Sequence, residues 1–228
     1  MLAAGYFLGA RHGQSLPGTP LRAPDKNETS ATVAVSIDEK FFDALLGTVF
    51  QKLGPPQLKL SQSQPQPESL MQPVVFQAGC NNVLTLNQQG NNVKTGVRFT
   101  GGKIIAPLAF TGSYNIVGKC VQFNGTARAS VDLSFDASKQ TVFGALNVDE
   151  VALDNVSPFF SALVTTFVRT AINDRVNPFE VLRVSQLSLS LPIQATGGTL
   201  KAQVKDVRSE VQEGSLRLFL NYEFDASK

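Results

Sequence analysis

Apolar residues recur at helical spacing in two stretches of this chain and alternate with polar residues across most of the rest. In the first stretch, Phe41, Phe42, Leu45, Leu46, Val49, Phe50 and Leu53 make one broad apolar face. Ser36-Ile37-Asp38-Glu39 ahead of it reads as a capping box with Ser36 as the cap, and Gly54-Pro55-Pro56 stops it. This predicts a helix over Ser36–Leu53. In the second, Ser157-Pro158 supplies a cap and a first-turn proline. Phe159, Phe160, Leu163, Val164, Phe167, Val168, Ala171 and Ile172 form the face, and Asn177-Pro178 ends the run. The two helices share a ten-residue core, 41–50 against 159–168, with five of ten positions identical.

Strands are predicted at Ala31–Val35, Gln57–Ser61, Val74–Ala78, Asn82–Gln88, Val93–Thr100, Ile104–Tyr114, Lys119–Phe135 and Thr141–Leu153. After the second helix they continue at Val184–Leu191, Thr199–Val207 and Ser215–Phe224. Gln89-Gly90-Asn91-Asn92, Gly101-Gly102, Asp136-Ala137-Ser138-Lys139, Gly197-Gly198 and Glu213-Gly214 carry turn chemistry. Gly96, Gly112, Gly118 and Gly125 read as bends or bulges in long strands. The fold class is α+β: a long, strongly curved antiparallel sheet wrapped around two amphipathic helices. Each helix is too apolar to stand in water and needs a cover.

Residues 1–10 hold a short apolar run, Leu2–Ala10, which reads as the remnant of a signal or membrane anchor. Residues 11–30 are rich in Gly, Pro and Ser and read as a flexible linker, and Gln62–Pro73 as a polar loop. Residues 31–228 form a single helix-wrapping β-rich domain, divisible into pseudo-related halves 31–145 and 146–228. The helix copies lie 118 residues apart, the Gln-Leu-x-Leu-Ser segments 129 apart and the two Phe-Asp-Ala-Ser-Lys segments 89 apart. These unequal offsets leave duplication and convergence both open.

Charged residues are 17% of the chain and the net charge is +2, with Lys and Arg scattered rather than striped. That pattern argues against nucleic acid as a partner. There are 16 Phe, 3 Tyr and no Trp, which enlarges a core or lines an apolar cavity. Cys80 and Cys120 are the only cysteines. In an exported protein they pair as a disulfide; in a cytosolic one they stay buried thiols, and the N-terminal run favours the bridge.

The candidate domain has no His, since His12 lies in the linker, which removes Ser-His-Asp catalysis and most zinc sites. Gly101-Gly102 and Gly197-Gly198 are turns rather than phosphate loops. Asp149 and Glu150 are neighbours on a strand and face opposite ways, so they are no glycosidase pair. Asn173-Asp174-Arg175-Val176-Asn177-Pro178 is explained as helix capping. No enzyme, cofactor or metal is expected.

The early helix at Ser36–Leu53, the long bent strands from Val74 to Leu153, and the second helix running into the final strands resemble the tubular lipid-binding superfamily. That group includes bactericidal/permeability-increasing-like proteins and related bacterial periplasmic lipoproteins. The resemblance covers residues 31–228 and is architectural, with no motif to carry over. It implies non-enzymatic binding or carriage of lipid or another apolar molecule in the cell envelope; the N-terminal run points to an exported, periplasmic or envelope-associated protein, either anchored through its N-terminus or released from it. The ligand-binding candidates are Phe41, Phe42, Leu45, Val49, Phe159, Phe160, Leu163 and Phe167. The other reading is an envelope structural or interaction protein whose helices are packed core, with membrane surface or envelope proteins as partners.

Overall fold

The computed structural model describes residues 16–24, 32–60, 80–116, 118–195 and 197–227. The N-terminal run 1–10, the loop at 62–73 and the strand expected at 74–78 lie outside them. Most of the chain is antiparallel sheet, curled into half-barrels, with two helices.

The elements follow in chain order as β1 (Thr19–Pro20), β2 (Thr32–Asp38), α1 (Glu39–Lys52), β3 (Gln57–Lys59), β4 (Val83–Asn87), β5 (Gln89–Gly90), β6 (Val93–Lys94), β7 (Arg98–Thr100), β8 (Lys103–Ile116), β9 (Lys119–Asp136) and β10 (Thr141–Asp154). Then come α2 (Pro158–Val176), β11 (Phe179–Arg183), a 3₁₀ turn at Val184–Leu187, β12 (Leu189–Ile193), β13 (Gly198–Gln212) and β14 (Ser215–Ser227). The large sheet runs β11-β10-β9-β8-β4-β3, with β1 on β9 and β7 on β8. The small sheet runs β12-β13-β14-β2.

Several boundaries move from their expected places. Ser36 lies in β2 opposite Arg217, and the cap of α1 is Asp38, whose carboxylate accepts from the Phe41 amide at 2.9 Å. Strand pairing to β14 holds Ser36 in register, so the helix starts two residues past the expected box. The run 93–100 splits into β6 and β7. Phe179–Arg183, given no element from the sequence, is strand β11, and the expected strand at 184–191 is a 3₁₀ turn followed by β12. Within the segment read as a linker, residues 16–24 pair with the sheets. Thr19 and Pro20 oppose Phe135 and Ser134, the Leu21 amide donates to Leu133 O, and the Ser209 amide donates to Arg22 O. The stretch straps β9 of one sheet to β13 of the other. The boundary at 145/146 falls inside β10, and β2 pairs with β14, so the two sequence halves do not map onto two sheets.

Gly112 and Gly125 interrupt no ladder: β8 and β9 pair without a register shift. Instead, each faces a phenylalanine across the strand pair, Gly112 opposite Phe123 and Gly125 opposite Phe110. A Cβ on Gly112 would come within 2.5 Å of the Phe123 ring, and one on Gly125 within 3.0 Å of Phe110. Gly144 opposes Phe179 on the same plan. The register shifts sit elsewhere, at Val142/Phe143, Val148/Glu150 and Val204/Asp206. Gly118 is a turn residue with φ +78°, and Gly96 lies under the Arg98 guanidinium between β6 and β7.

The main core joins α2 to the inner face of the large sheet through Leu84, Phe110, Phe123, Ala129, Leu146, Val164, Val168 and Ile172. Two smaller clusters close the seam between the sheets. One holds Phe135, Val142, Val184, Val204, Val207 and Leu220, the other Phe99, Ile104, Leu216 and Leu218, and Leu21 packs against both. Cys80 and Cys120 form a disulfide with their Cα atoms 5.5 Å apart.

Candidate functional site

The two helices look alike in sequence and are held in different ways. Val164, Val168, Ala171 and Ile172 of α2 are fully buried, at the i, i+4, i+7 and i+8 spacing that faces one surface. The end of α2 is bolted to the sheet. The β10–β11 pairing reaches only to Gly144, and the side-chain amide of Asn177 takes over beyond it: the Leu146 amide donates to Asn177 Oδ1 and Asn177 Nδ2 donates to Leu146 O, both at 2.7 Å. Asn173 Oδ1 accepts from the Val148 amide. The polar cluster at 173–178, read as capping, therefore extends the ladder of β10, and buried backbone groups find their partners there.

No residue of α1 is fully buried. Its acidic residues Glu39 and Asp43, one turn apart, face β6 and β7. Lys94 Nζ lies 2.8 Å from Asp43, and Arg98 lies 3.1 Å from Asp43 and 3.8 Å from Glu39. Glu39 also accepts from the Phe99 amide at 2.8 Å. The hydrogen bond from Lys94 holds the Asp43 carboxyl below its ordinary pKa; burial opposes this, and Arg98 adds to the lowering. Beside this cluster Phe42 packs edge-on against Phe99, with ring centroids 5.8 Å apart. One aromatic anchor and a group of part-exposed ion pairs are the main ties between α1 and the sheets.

The eight residues singled out as a ligand lining divide accordingly. Phe42, Val49, Phe160 and Phe167 are half-buried. Phe41 is 55% exposed, Leu45 48%, Phe159 80% and Leu163 44%, and Leu53 at the end of α1 is 82% exposed. Phe42 packs into the seam cluster with Leu216 and Leu218, whereas Phe160 packs into the main core, and Phe167 stacks on Tyr114 at 4.3 Å. The residues thus join two separate clusters. Cavities of about 590, 540 and 380 Å³ open on the described surface, and none of the three is lined by any of the eight.

The structure adds an apolar surface that strand alternation did not single out. Leu216, Leu218 and Leu220 are buried on one face of β14, and that face continues through Tyr222 to Phe224, which is exposed. The register sets Leu189 beside Ala202 and Phe224, and Leu191 beside Leu200. With Ile193 they make an uncovered extension of the seam core. The alternation of 187, 189, 191 and 193 was a signal for the strand, but not for the absence of a cover. Among the described residues, no group of three or more His, Cys, Asp or Glu is placed to hold a metal, and no described helix is long and apolar enough to cross a membrane.

Compared with known proteins, the chain matches no family model, no curated protein and no solved structure.

Proposed function

We propose that this protein binds lipid or another apolar molecule without chemical turnover, on the exported side of a membrane. The observation that carries the reading is the state of α1: a Phe-rich helix with no buried residue, leaving Phe41, Leu45 and Leu53 in water. Full burial of a Leu or Phe side chain contributes about 1.5–3 kcal/mol. A ligand covering these three residues therefore has several kcal/mol of apolar contact to gain. The site in this reading is an open surface on α1 rather than a closed tunnel, and Phe159 and Leu163 on α2 belong to a separate exposed patch. The likeness to the tubular lipid-binding superfamily supports the same class of ligand. The Cys80–Cys120 disulfide is compatible with an exported, periplasmic or envelope-associated protein.

The second reading, an envelope structural or interaction protein, is favoured by α2, whose buried face is closed core. Mass spectrometry of organic extracts from purified protein separates the two. Co-purifying lipid is expected, and its amount should fall in a Phe41→Ser/Leu45→Ser variant with an unchanged melting temperature. Extracts free of apolar molecules would favour the structural role.

A further inference from the structure

The outer face of the large sheet carries a second candidate site, far in chemistry from the apolar helices. Gln57, Thr85, Thr111 and Asn124 are directly paired, one after another, across β3, β4, β8 and β9. Ser113 and Gln122 form the adjacent row, next to Val83. Together they line a depression of about 540 Å³ that no charged side chain enters. The row ends at Asp154, whose carboxylate accepts from Asn91.

We propose that this groove binds a neutral oligosaccharide. Its volume lies within the roughly 300–1,000 Å³ of ligand sites. Adjacent strands set the polar groups about 4.8 Å apart, close to the breadth of one sugar ring. A primary amide offers donors and an acceptor side by side, which suits neighbouring hydroxyls, and a hydroxyl both gives and accepts. The lining holds no cation or anion, which favours a neutral ligand; the nearest cation in the paired rows is Lys59, beside Val83 at the β3 edge. The groups are also available: the side chains of Gln57, Thr85 and Gln122 make no hydrogen bond to a described residue.

The walls are fixed before any ligand arrives. The disulfide ties Cys80, next to Asn81, to Cys120 at the start of β9. The Asn81 amide donates to Ser113 Oγ at 3.2 Å, the Asn115 amide to Asn82 Oδ1 at 2.7 Å, and Asn155 Nδ2 to Asn124 Oδ1 at 3.2 Å. Asn124 is held in this way and loses little freedom on binding, whereas Gln57 and Gln122 are ordered by the ligand itself.

The test is a glycan array carrying neutral and acidic oligosaccharides, probed with the purified disulfide-bonded protein, followed by calorimetry with the strongest neutral hit. Binding to neutral glycans is expected. It should weaken by about two- to tenfold for each lost amide in Gln57→Ala and Gln122→Ala. Both residues are exposed, so circular dichroism should show an unchanged fold. Vesicles bearing a neutral glycolipid form a parallel arm: capture there, and not by the free sugar, would identify a headgroup as the source. Binding confined to acidic glycans, binding indifferent to both variants, or no binding in either arm would overturn the proposal.

Discussion

At the scale of single residues, this chain places phenylalanine opposite glycine. Phe110 faces Gly125, Phe123 faces Gly112 and Phe179 faces Gly144. A ring that would collide with a neighbouring side chain lies instead along the backbone of the next strand. The high Phe count and several strand glycines are thus parts of one device. Gly112→Ala puts a methyl against both the Phe123 ring and the Val83 carbonyl. Overpacking of this kind costs about 1–3 kcal/mol, to be read as a drop in the midpoint of denaturant unfolding. Gly47→Ala on α1 is the contrasting case. Nothing lies within 4 Å of its added methyl, and helix propensity alone predicts a gain of up to about 1 kcal/mol. The glycines were visible in the sequence, but a bend and a ring contact leave the same letter. Only the register, which sets each Gly against its Phe, separates them.

At the scale of elements, the two helices were legible from their 3.6-residue periodicity and their stops; the caps were less so, since Asp38 rather than Ser36 caps α1 and Ser157 makes no side-chain capping bond. What covers each was not, because covering depends on partners distant in the chain. The similarity of 41–50 to 159–168 suggested equal roles, yet α2 is sealed into the main core while α1 rests on Phe42 and on the pairing of Glu39 and Asp43 with Lys94 and Arg98. Short elements fared worse: β11 is five residues between a cis Asn177-Pro178 bond and a 3₁₀ turn, too brief for alternation to register. The electrostatic attachment of α1 has a pH sign. Because the Asp43 pKa is lowered in the folded state, its contribution is fully present above the ordinary aspartate range and is lost as pH falls through and below it. Hydrogen exchange should therefore show α1 amides opening before those of α2 at neutral pH. The gap should widen on acidification below about pH 4. Asp43→Asn should speed exchange in α1 at neutral pH and remove most of the acid dependence. Equal protection of the two helices at all pH values would contradict this attachment.

At the scale of the whole molecule, the class was legible: curved antiparallel sheet, two helices and a bridge between Cys80 and Cys120. The partition into two sheets was not. Alternation marks which residues share a face, but it carries no address for the partner strand, and so the pairing of β2 with β14 and the strap at 16–24 left no sign in the pattern. Apolar residues such as Leu189 and Leu191 likewise give no indication of whether anything lies over them. The disulfide joins residues 40 apart. By loop-closure entropy its reduction should lower stability by about 3–4 kcal/mol, measurable as a lower unfolding midpoint in reductant. The same treatment should loosen the neutral-glycan groove it borders, while leaving the packing of α1 on Phe99 unchanged.

The pairing of β2 with β14 also sets a timetable. Residues 32–38 leave the ribosome well before their sole described strand partner, residues 215–221, is made. Until β14 is made, Val33, Val35 and Ile37 carry a strand edge without its described partner. A sheet built this way closes only after β14 is released. It is therefore a natural client for holding chaperones, and truncation inside β14 should yield aggregates rather than a smaller folded domain.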